Sequence, residues 1–247
     1  MEGRRVALWT WLLATALAGL VEPAGAEPRA VLELFTSQGC SACPRADALV
    51  GDLSRDPSLV VLSLPIDYWD YLGWKDTLAI PRNSQRQRGY ALMRGDREVY
   101  TPQMVVNGAV HALGSDHDAI ERAVAQTRRD SMTLSVPLRL TTADGKLDVT
   151  VPAAKGDEPD AEIWLCMLSR AVPVVIGRGE NSGRTIIYHN VVRNWMKLGD
   201  WTGTNRVFAI PVAHIESTGA DSVAVLLQGG PPERPGLMLG AATTTLH

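Results

Sequence analysis

Apolar and polar positions follow two different rhythms along the 247 residues. In the first half, short apolar runs alternate with segments of helical period. Val31-Leu32-Glu33-Leu34-Phe35-Thr36 reads as a buried strand, and Leu59 to Leu64, β-branched and bounded by Pro57 and Pro65, as a second. Between them Ala46, Leu49, Val50 and Leu53 recur at helical spacing from Cys43 onward. Residues 68–96 form an aromatic-rich insert, helical around Ser84 to Met93. Met104-Val105-Val106, then Asn107-Gly108, then Ala109 to Leu113 predict a hairpin, because Asn-Gly readily takes the two positive φ angles of a tight turn. Ser115 is placed to cap a closing helix with Ala119, Ile120, Ala123 and Val124 on one apolar stripe. The order β-α-β-α-β-β-α predicts a compact α/β domain with a mixed sheet and flanking helices over residues 27–129.

From residue 130 the rhythm changes to period two. Leu134, Val136, Leu138 and Leu140 alternate with polar or small partners, and Asp144-Gly145 turns the chain into Leu147, Val149 and Val151. Further strands are expected at 163–168, 185–195, 206–210, 222–228 and 237–243. Short strands separated by Gly, Pro and Asp clusters predict an antiparallel β-sandwich-like domain over 130–247, without a helix.

The first 26 residues read as a removable export signal. Arg4 and Arg5 precede an almost wholly apolar run from Val6 to Val21, and Ala24-Gly25-Ala26 supplies the small residues of a cleavage site before Glu27. An uncleaved anchor is the alternative, but a run of about 16 residues is short of the roughly 20 needed to span a bilayer. No later stretch is apolar enough to span one, so the expected location is periplasmic or secreted. Removing the segment takes away two Arg and two Glu and leaves the net charge at −3. That slightly acidic balance gives no footprint for nucleic acid. Three Cys exclude a disulfide-dense scaffold.

Two of those cysteines carry the candidate chemistry. In Cys40-Ser41-Ala42-Cys43 a strand leads into Cys-x-x-Cys, which leads into an apolar-striped helix. Free N–H groups and partial positive charge at a helix start stabilise a thiolate on the first Cys. Cys40 is therefore the expected attacking thiol and Cys43, one turn in and more buried, the resolving one. Pro44 suits the first helical turn, where a missing N–H costs little. Half a zinc site and an inert structural clip are the alternatives. Zinc asks for a second ligand pair, and the chain offers Cys166 and scattered His without ligand spacing. Thr101-Pro102 stands directly before the Met104 strand, where proline is tolerated only at a strand start.

The run from Leu34 to Pro44, with Thr101-Pro102 ahead of a hairpin and a last helix, resembles the thioredoxin superfamily. The interval from Thr36 to Cys40 is closer to glutaredoxins. More narrowly, Asp67-Tyr68-Trp69-Asp70-Tyr71-Leu72-Gly73-Trp74-Lys75-Asp76 and Tyr188-His189-Asn190-Val191-Val192-Arg193 resemble hallmarks of exported bacterial thioredoxin-like proteins catalogued as a domain of unknown function. The resemblance implies a thioredoxin fold followed by a β-rich domain. It also implies a cis Pro102 that sets the Thr101 backbone beside the cysteines, to position substrate. It brings no substrate identity. Ser41-Ala42 matches neither thioredoxin nor the strong periplasmic oxidants, which leaves the redox poise open. Glu33 is the nearest candidate for a buried proton-shuttling acid, one residue too far upstream, with an outward charge as the alternative. The position of Thr36 does not fit a peroxidase.

Trp69, Tyr71 and Trp74 are candidates for a binding lip beside the cysteines, or for a satellite cluster covering the sheet edge. Cys166, in an apolar run, reads as a core residue. His189 and Arg193 share a strand face that either contacts the first domain or a partner or is simply solvated or hydrogen-bonded. The expected function is thiol–disulfide exchange on protein substrates, needing no cofactor or metal but an unidentified redox partner. The alternative is a non-enzymatic envelope binding or adaptor protein whose disulfide is a staple.

Overall fold

A computed structural model describes residues 27–156 and 158–246. The expected export signal at 1–26 lies outside the described residues.

The first half builds β1 (Ala30–Thr36), α1 (Cys43–Leu53), β2 (Leu59–Pro65), α2 (Pro81–Arg94), β3 (Gln103–Val106), β4 (Val110–Leu113) and α3 (His117–Thr127). A 3-10 turn at Asp70–Leu72 interrupts the aromatic insert. The hairpin turn falls at Asn107-Gly108, with φ of 50° and 70°. Asn107 also ties three elements together. Its Oδ1 accepts from the Val31 N–H at 2.7 Å and its Nδ2 donates to Thr127 Oγ1 at 2.8 Å. The cap of α3 is Asp116, whose carboxylate accepts from the Ala119 N–H at 2.9 Å, rather than the expected Ser115.

The second half builds β5 (Arg139–Ala143), β6 (Lys146–Val151), β7 (Ala161–Val175), β8 (Thr185–Trp201), β9 (Arg206–Pro211), α4 (Val212–Glu216), β10 (Ser222–Gly229) and β11 (Met238–Thr245). The short α4 corrects the expectation of a helix-free half. Its buried Val212 and Ile215 fill the core below β6.

The larger difference concerns the sheets. Strands from both halves join one mixed eight-stranded sheet, in the order β11-β10-β7-β8-β2-β1-β3-β4. The sandwich-like layer survives in reduced form, as a separate antiparallel sheet β5-β6-β9. Strand alternation then fixes three layers. Val31, Phe35, Leu62, Leu64, Cys166 and Leu226 share one face of the large sheet with Tyr90 of α2. The opposite face carries Leu32, Leu34 and Val61 against α1 and α3, and farther along Ile163, Leu165, Val223 and Val225 against Leu147 and Val149 of the small sheet.

The seam between the halves is short. Parallel pairing of β2 with β8 is confined to Ser63 and Val191. Side chains complete it: Ser63 Oγ donates to the His189 carbonyl at 2.7 Å, and Asn190 Nδ2 to the Val61 carbonyl at 3.0 Å. The His189 ring lies where a Cβ on Gly51 of α1 would stand, 2.8 Å away. The second tie is polar and buried. Glu33 of β1 accepts from Arg86 Nε at 2.6 Å and from the Tyr90 hydroxyl. Arg86 Nη2 donates to Tyr90 and to Gln228 of β10, each at 2.7 Å.

Removing one partner of a buried ion pair leaves the other charge uncompensated, which typically costs about 3–5 kcal/mol. Glu33→Gln is therefore expected to lower the urea midpoint sharply, while Glu121→Gln, at a half-exposed pair with Arg29, shifts stability by less than about 1 kcal/mol. Equal, small shifts in both variants would contradict a structural role for the buried pair.

Candidate functional site

β1 ends at Thr36 and the chain turns through Ser37-Gln38-Gly39 into the cysteines. The Cys40 N–H donates to the Ser37 carbonyl at 3.1 Å and the Cys43 N–H to the Cys40 carbonyl at 3.2 Å. α1 then starts at Cys43 with Pro44 in its first turn and no side-chain cap. Cys40 and Cys43 form a disulfide with their Cα atoms 5.4 Å apart. Both cysteines are buried, Cys40 with 6% of its surface exposed and Cys43 with none.

Across from Cys40 runs the Thr101–Pro102 peptide, which is cis. Cys40 Sγ lies 3.7 Å from the Thr101 carbonyl oxygen. Trp69 Nε1 donates to Thr101 Oγ1 at 2.8 Å, and its ring stacks on Tyr71 at 6.2 Å between centroids. Tyr71 is 76% exposed. The structure thus gathers Cys40, Cys43, Thr101, Pro102, Trp69 and Tyr71 at one edge.

Two sequence candidates sit elsewhere. Trp74 is half-buried and tied to the loop ahead of Cys40. Its Nε1 donates to Gln38 Oε1 at 2.8 Å, its ring packs over Gly177 and its Cβ lies against Gly179. Glu33 does not reach the disulfide. Period-two alternation on β1 turns Leu32 and Leu34 toward α1 but Glu33 toward α2, into its pair with Arg86. Cys166 is a buried free thiol beneath the same α2 face, and burial pushes its pKa well up, leaving it unreactive.

The buried acid on the α1 side is Asp47, which sequence reasoning passed over. It stands four residues beyond Cys43, hence on the same helix face one turn deeper. Burial pushes its pKa up to about 8; the hydroxyl of Thr36, donating to Oδ1 at 2.7 Å, opposes that rise, and the nearby Asp76 charge adds to it. Asp47 Oδ2 and the hydroxyl of Tyr188 are both buried without a hydrogen-bond partner among the described residues. Desolvation and the charges of Asp47 and Asp76 hold the Tyr188 phenol well above its ordinary range.

Asp76 organises the loop ahead of Cys40. Its carboxylate accepts from the N–H groups of Gln38 and Leu78, each at 2.8 Å, and from Ala79 at 3.1 Å. Burial raises its pKa to about 6, against the lowering effect of those N–H groups. The second half contributes directly. Asn181, on the turn between β7 and β8, donates Nδ2 to the carbonyls of both Gln38 and Cys40 at 2.9 Å. An exposed-looking Asn 141 residues along the chain from Cys40 gives no sequence signal for that contact. Asp47 did leave one, as an acid at i+4 from Cys43 within an otherwise apolar helix stripe.

Among the described residues, no helix is long and apolar enough to cross a membrane. The X-ray crystal structure of a protein from Agrobacterium tumefaciens, a structural genomics target, is 30% identical to this chain with a TM-score of 0.80. The match covers 90% of this chain and 96% of that one. No curated protein matches. A model of a family described as "Protein of unknown function (DUF1223)" matches residues 31–228, which takes in the Cys-x-x-Cys, the cis proline, the seam and the Asn181 turn. The chain belongs to that family.

Proposed function

We propose that the protein is an exported thiol–disulfide oxidoreductase acting on protein thiols in the periplasm or outside the cell. The carrying observation is the pairing of Cys40, its sulfur beside the Thr101 carbonyl, with a fully buried Cys43 that has a protonatable carboxyl on the same helix face one turn deeper. We read the first half as a thioredoxin-like domain. Its order β1-α1-β2-α2-β3-β4-α3, with β1 parallel to β2 and antiparallel to β3, supports that reading.

In the oxidising direction a substrate thiolate attacks Cys40 Sγ. The Cys40–Cys43 bond breaks, a mixed disulfide forms on Cys40, and Cys43 leaves with the electron pair. Asp47, carrying a proton at neutral pH because of its raised pKa, supplies that proton to the departing sulfur. A second substrate thiolate then attacks the substrate sulfur of the mixed disulfide and releases Cys40 as a thiolate. Two electrons pass from the substrate dithiol to the Cys pair, and a redox partner protein removes them. The reverse sequence reduces a substrate disulfide, with Asp47 taking the Cys43 proton. The exposed Tyr71 and half-buried Trp69 offer an apolar landing for the polypeptide that carries the thiol.

One observation favours a second reading. Cys40 is 6% exposed, and a shielded disulfide suits a staple in a non-enzymatic envelope adaptor. The two readings part in a trapping experiment. In Cys43→Ser the lone Cys40 thiolate is expected to attack disulfide-bearing proteins of the envelope, releasing one substrate sulfur as a thiolate and accumulating mixed disulfides resolved on non-reducing gels, whereas Cys40→Ser accumulates none. Capture by neither variant would favour the adaptor.

Asp47 gives a separate test. Asp47→Asn is expected to slow exchange by about 10²-fold, the lower end for acid–base participation, and to remove an inflection near pH 8 from the pH–rate profile. Stability should move in a linked way. The folded state holds a proton that the unfolded chain releases near its ordinary carboxyl pKa. The stabilisation is therefore complete below about pH 4 and is lost as pH rises through about 8. Asp47→Asn should flatten that decline, measured as urea midpoints between pH 4 and 9. An unchanged rate profile would remove Asp47 from the mechanism.

A further inference from the structure

On the α2 face of the large sheet, away from the disulfide, lies an open cleft of about 450 Å³ between α2, β7, β8 and the 230–235 loop. Its floor is apolar: Trp164 of β7 and Trp195 of β8 meet edge to face at 6.5 Å, and prolines 231, 232 and 235 form the far wall. Gly89 lets that wall approach. A Cβ there would meet Pro235 Cδ at 2.7 Å and the Glu233 carbonyl at 3.0 Å.

The near wall is cationic. Arg82 and Arg86 stand one turn apart on α2, their guanidinium carbons 4.3 Å from the centroid of Trp164 and 4.6 Å from that of Trp195. Arg88 lines the same wall. Arg86 is 8% exposed, and its Nε and Nη2 are committed to Glu33, Tyr90 and Gln228. Its Nη1 has no partner among the described residues. Arg82 and Arg88 make no hydrogen bond or ion pair among them either. Burial and the adjacent Arg86 charge hold the Arg82 guanidinium below its ordinary range, against a smaller opposing pull from the Glu162 carboxylate.

The acids nearby do not balance this wall. Glu33 offsets Arg86. Glu162 is engaged by Lys197 Nζ at 2.5 Å and by Trp164 Nε1 at 3.1 Å. Glu233 is the remaining carboxylate of the cleft and sits on the proline side. A surplus of positive charge therefore faces an aromatic floor. Arg82 and Arg88, without a carboxylate partner among the described residues, call for a carboxylate or phosphate, and the Trp and Pro walls call for an apolar body attached to it.

We propose that this cleft binds a small organic carboxylate with an aromatic or apolar body. Arg82, Arg88 and Nη1 of Arg86 take the anionic group, and Trp164 and Trp195 pack against the body. The site is independent of the Cys40–Cys43 chemistry, so binding should be the same before and after the disulfide is reduced.

The test is calorimetric titration of the full chain with phenylacetate, with 2-phenylethanol and inorganic phosphate as comparison probes. Tryptophan fluorescence is followed in parallel. Saturable phenylacetate binding is expected, with quenching. Arg82→Gln and Arg88→Gln, both exposed positions whose folding is checked by far-UV circular dichroism, should each weaken it about tenfold, or ~1.4 kcal/mol. Four results would overturn the proposal: no saturation by about 10 mM, a weaker limit than the millimolar affinities of minimal ligands; binding unchanged in both arginine variants; phenylethanol binding as well as phenylacetate, which leaves an apolar cleft only; or phosphate binding as well as phenylacetate, which leaves a bare anion site.

Discussion

Everything distinctive about this molecule passes through the two-residue seam where β8 lies parallel to β2. Ser63 and Val191 make the backbone register, and Ser63 Oγ and Asn190 Nδ2 extend it by bonding carbonyls across it. That contact turns two halves into one sheet. It also aims the β7–β8 hairpin, whose far turn carries Asn181 to the carbonyls of Gln38 and Cys40. The motif Tyr188 to Arg193 therefore has a mechanical reason: Tyr188 lies over the buried acids, His189 packs on Gly51 of α1, and Asn190 and Val191 hold the seam.

The disulfide loop is consequently held from three sides. Asp76 fixes the Gln38 N–H from the aromatic insert, Asn181 fixes the carbonyls from the second half, and the Thr101 carbonyl faces Cys40 from the start of β3. A loop clamped in this way loses little further freedom when it reacts, which is the value of a preorganised site. The opposite face of the sheet is organised by charge. There Glu33, Arg86, Tyr90 and Gln228 form a buried network tying β1 and α2 to β10. The two faces thus divide the labour, with the protonatable Asp47 beneath the cysteines and the Glu33–Arg86 ion pair beneath α2.

Local signals translated into local structure reliably. Asn107-Gly108 made its hairpin turn and Cys43-Pro44 opened its helix, because each depends on a few adjacent dihedrals. Strict alternation also contained the fate of Glu33: grouping it with Val31 and Phe35, rather than counting its distance to Cys40, places it on the α2 face. Asp47 was legible in the same way, at i+4 from Cys43. The long strands were harder. β7 and β8 run for 15 and 17 residues, but register shifts at Ile163/Trp164 and Met167/Leu168 break the period and made them look short. The choice of β2 as the partner of β8 rests on residues more than a hundred positions apart. Each strand alone is equally compatible with a closed sandwich, so the shared sheet was not readable from either half.

The Cys40–Cys43 bond either exchanges electrons or only braces a loop. Its reduction potential decides this most directly, measured by thiol-trapping mass shifts of the full chain in glutathione buffers. A reactive pair of the kind described should poise between about −120 and −270 mV, the span of known exchange proteins. A bond that stays oxidised below about −300 mV would be a structural staple, and would contradict the oxidoreductase.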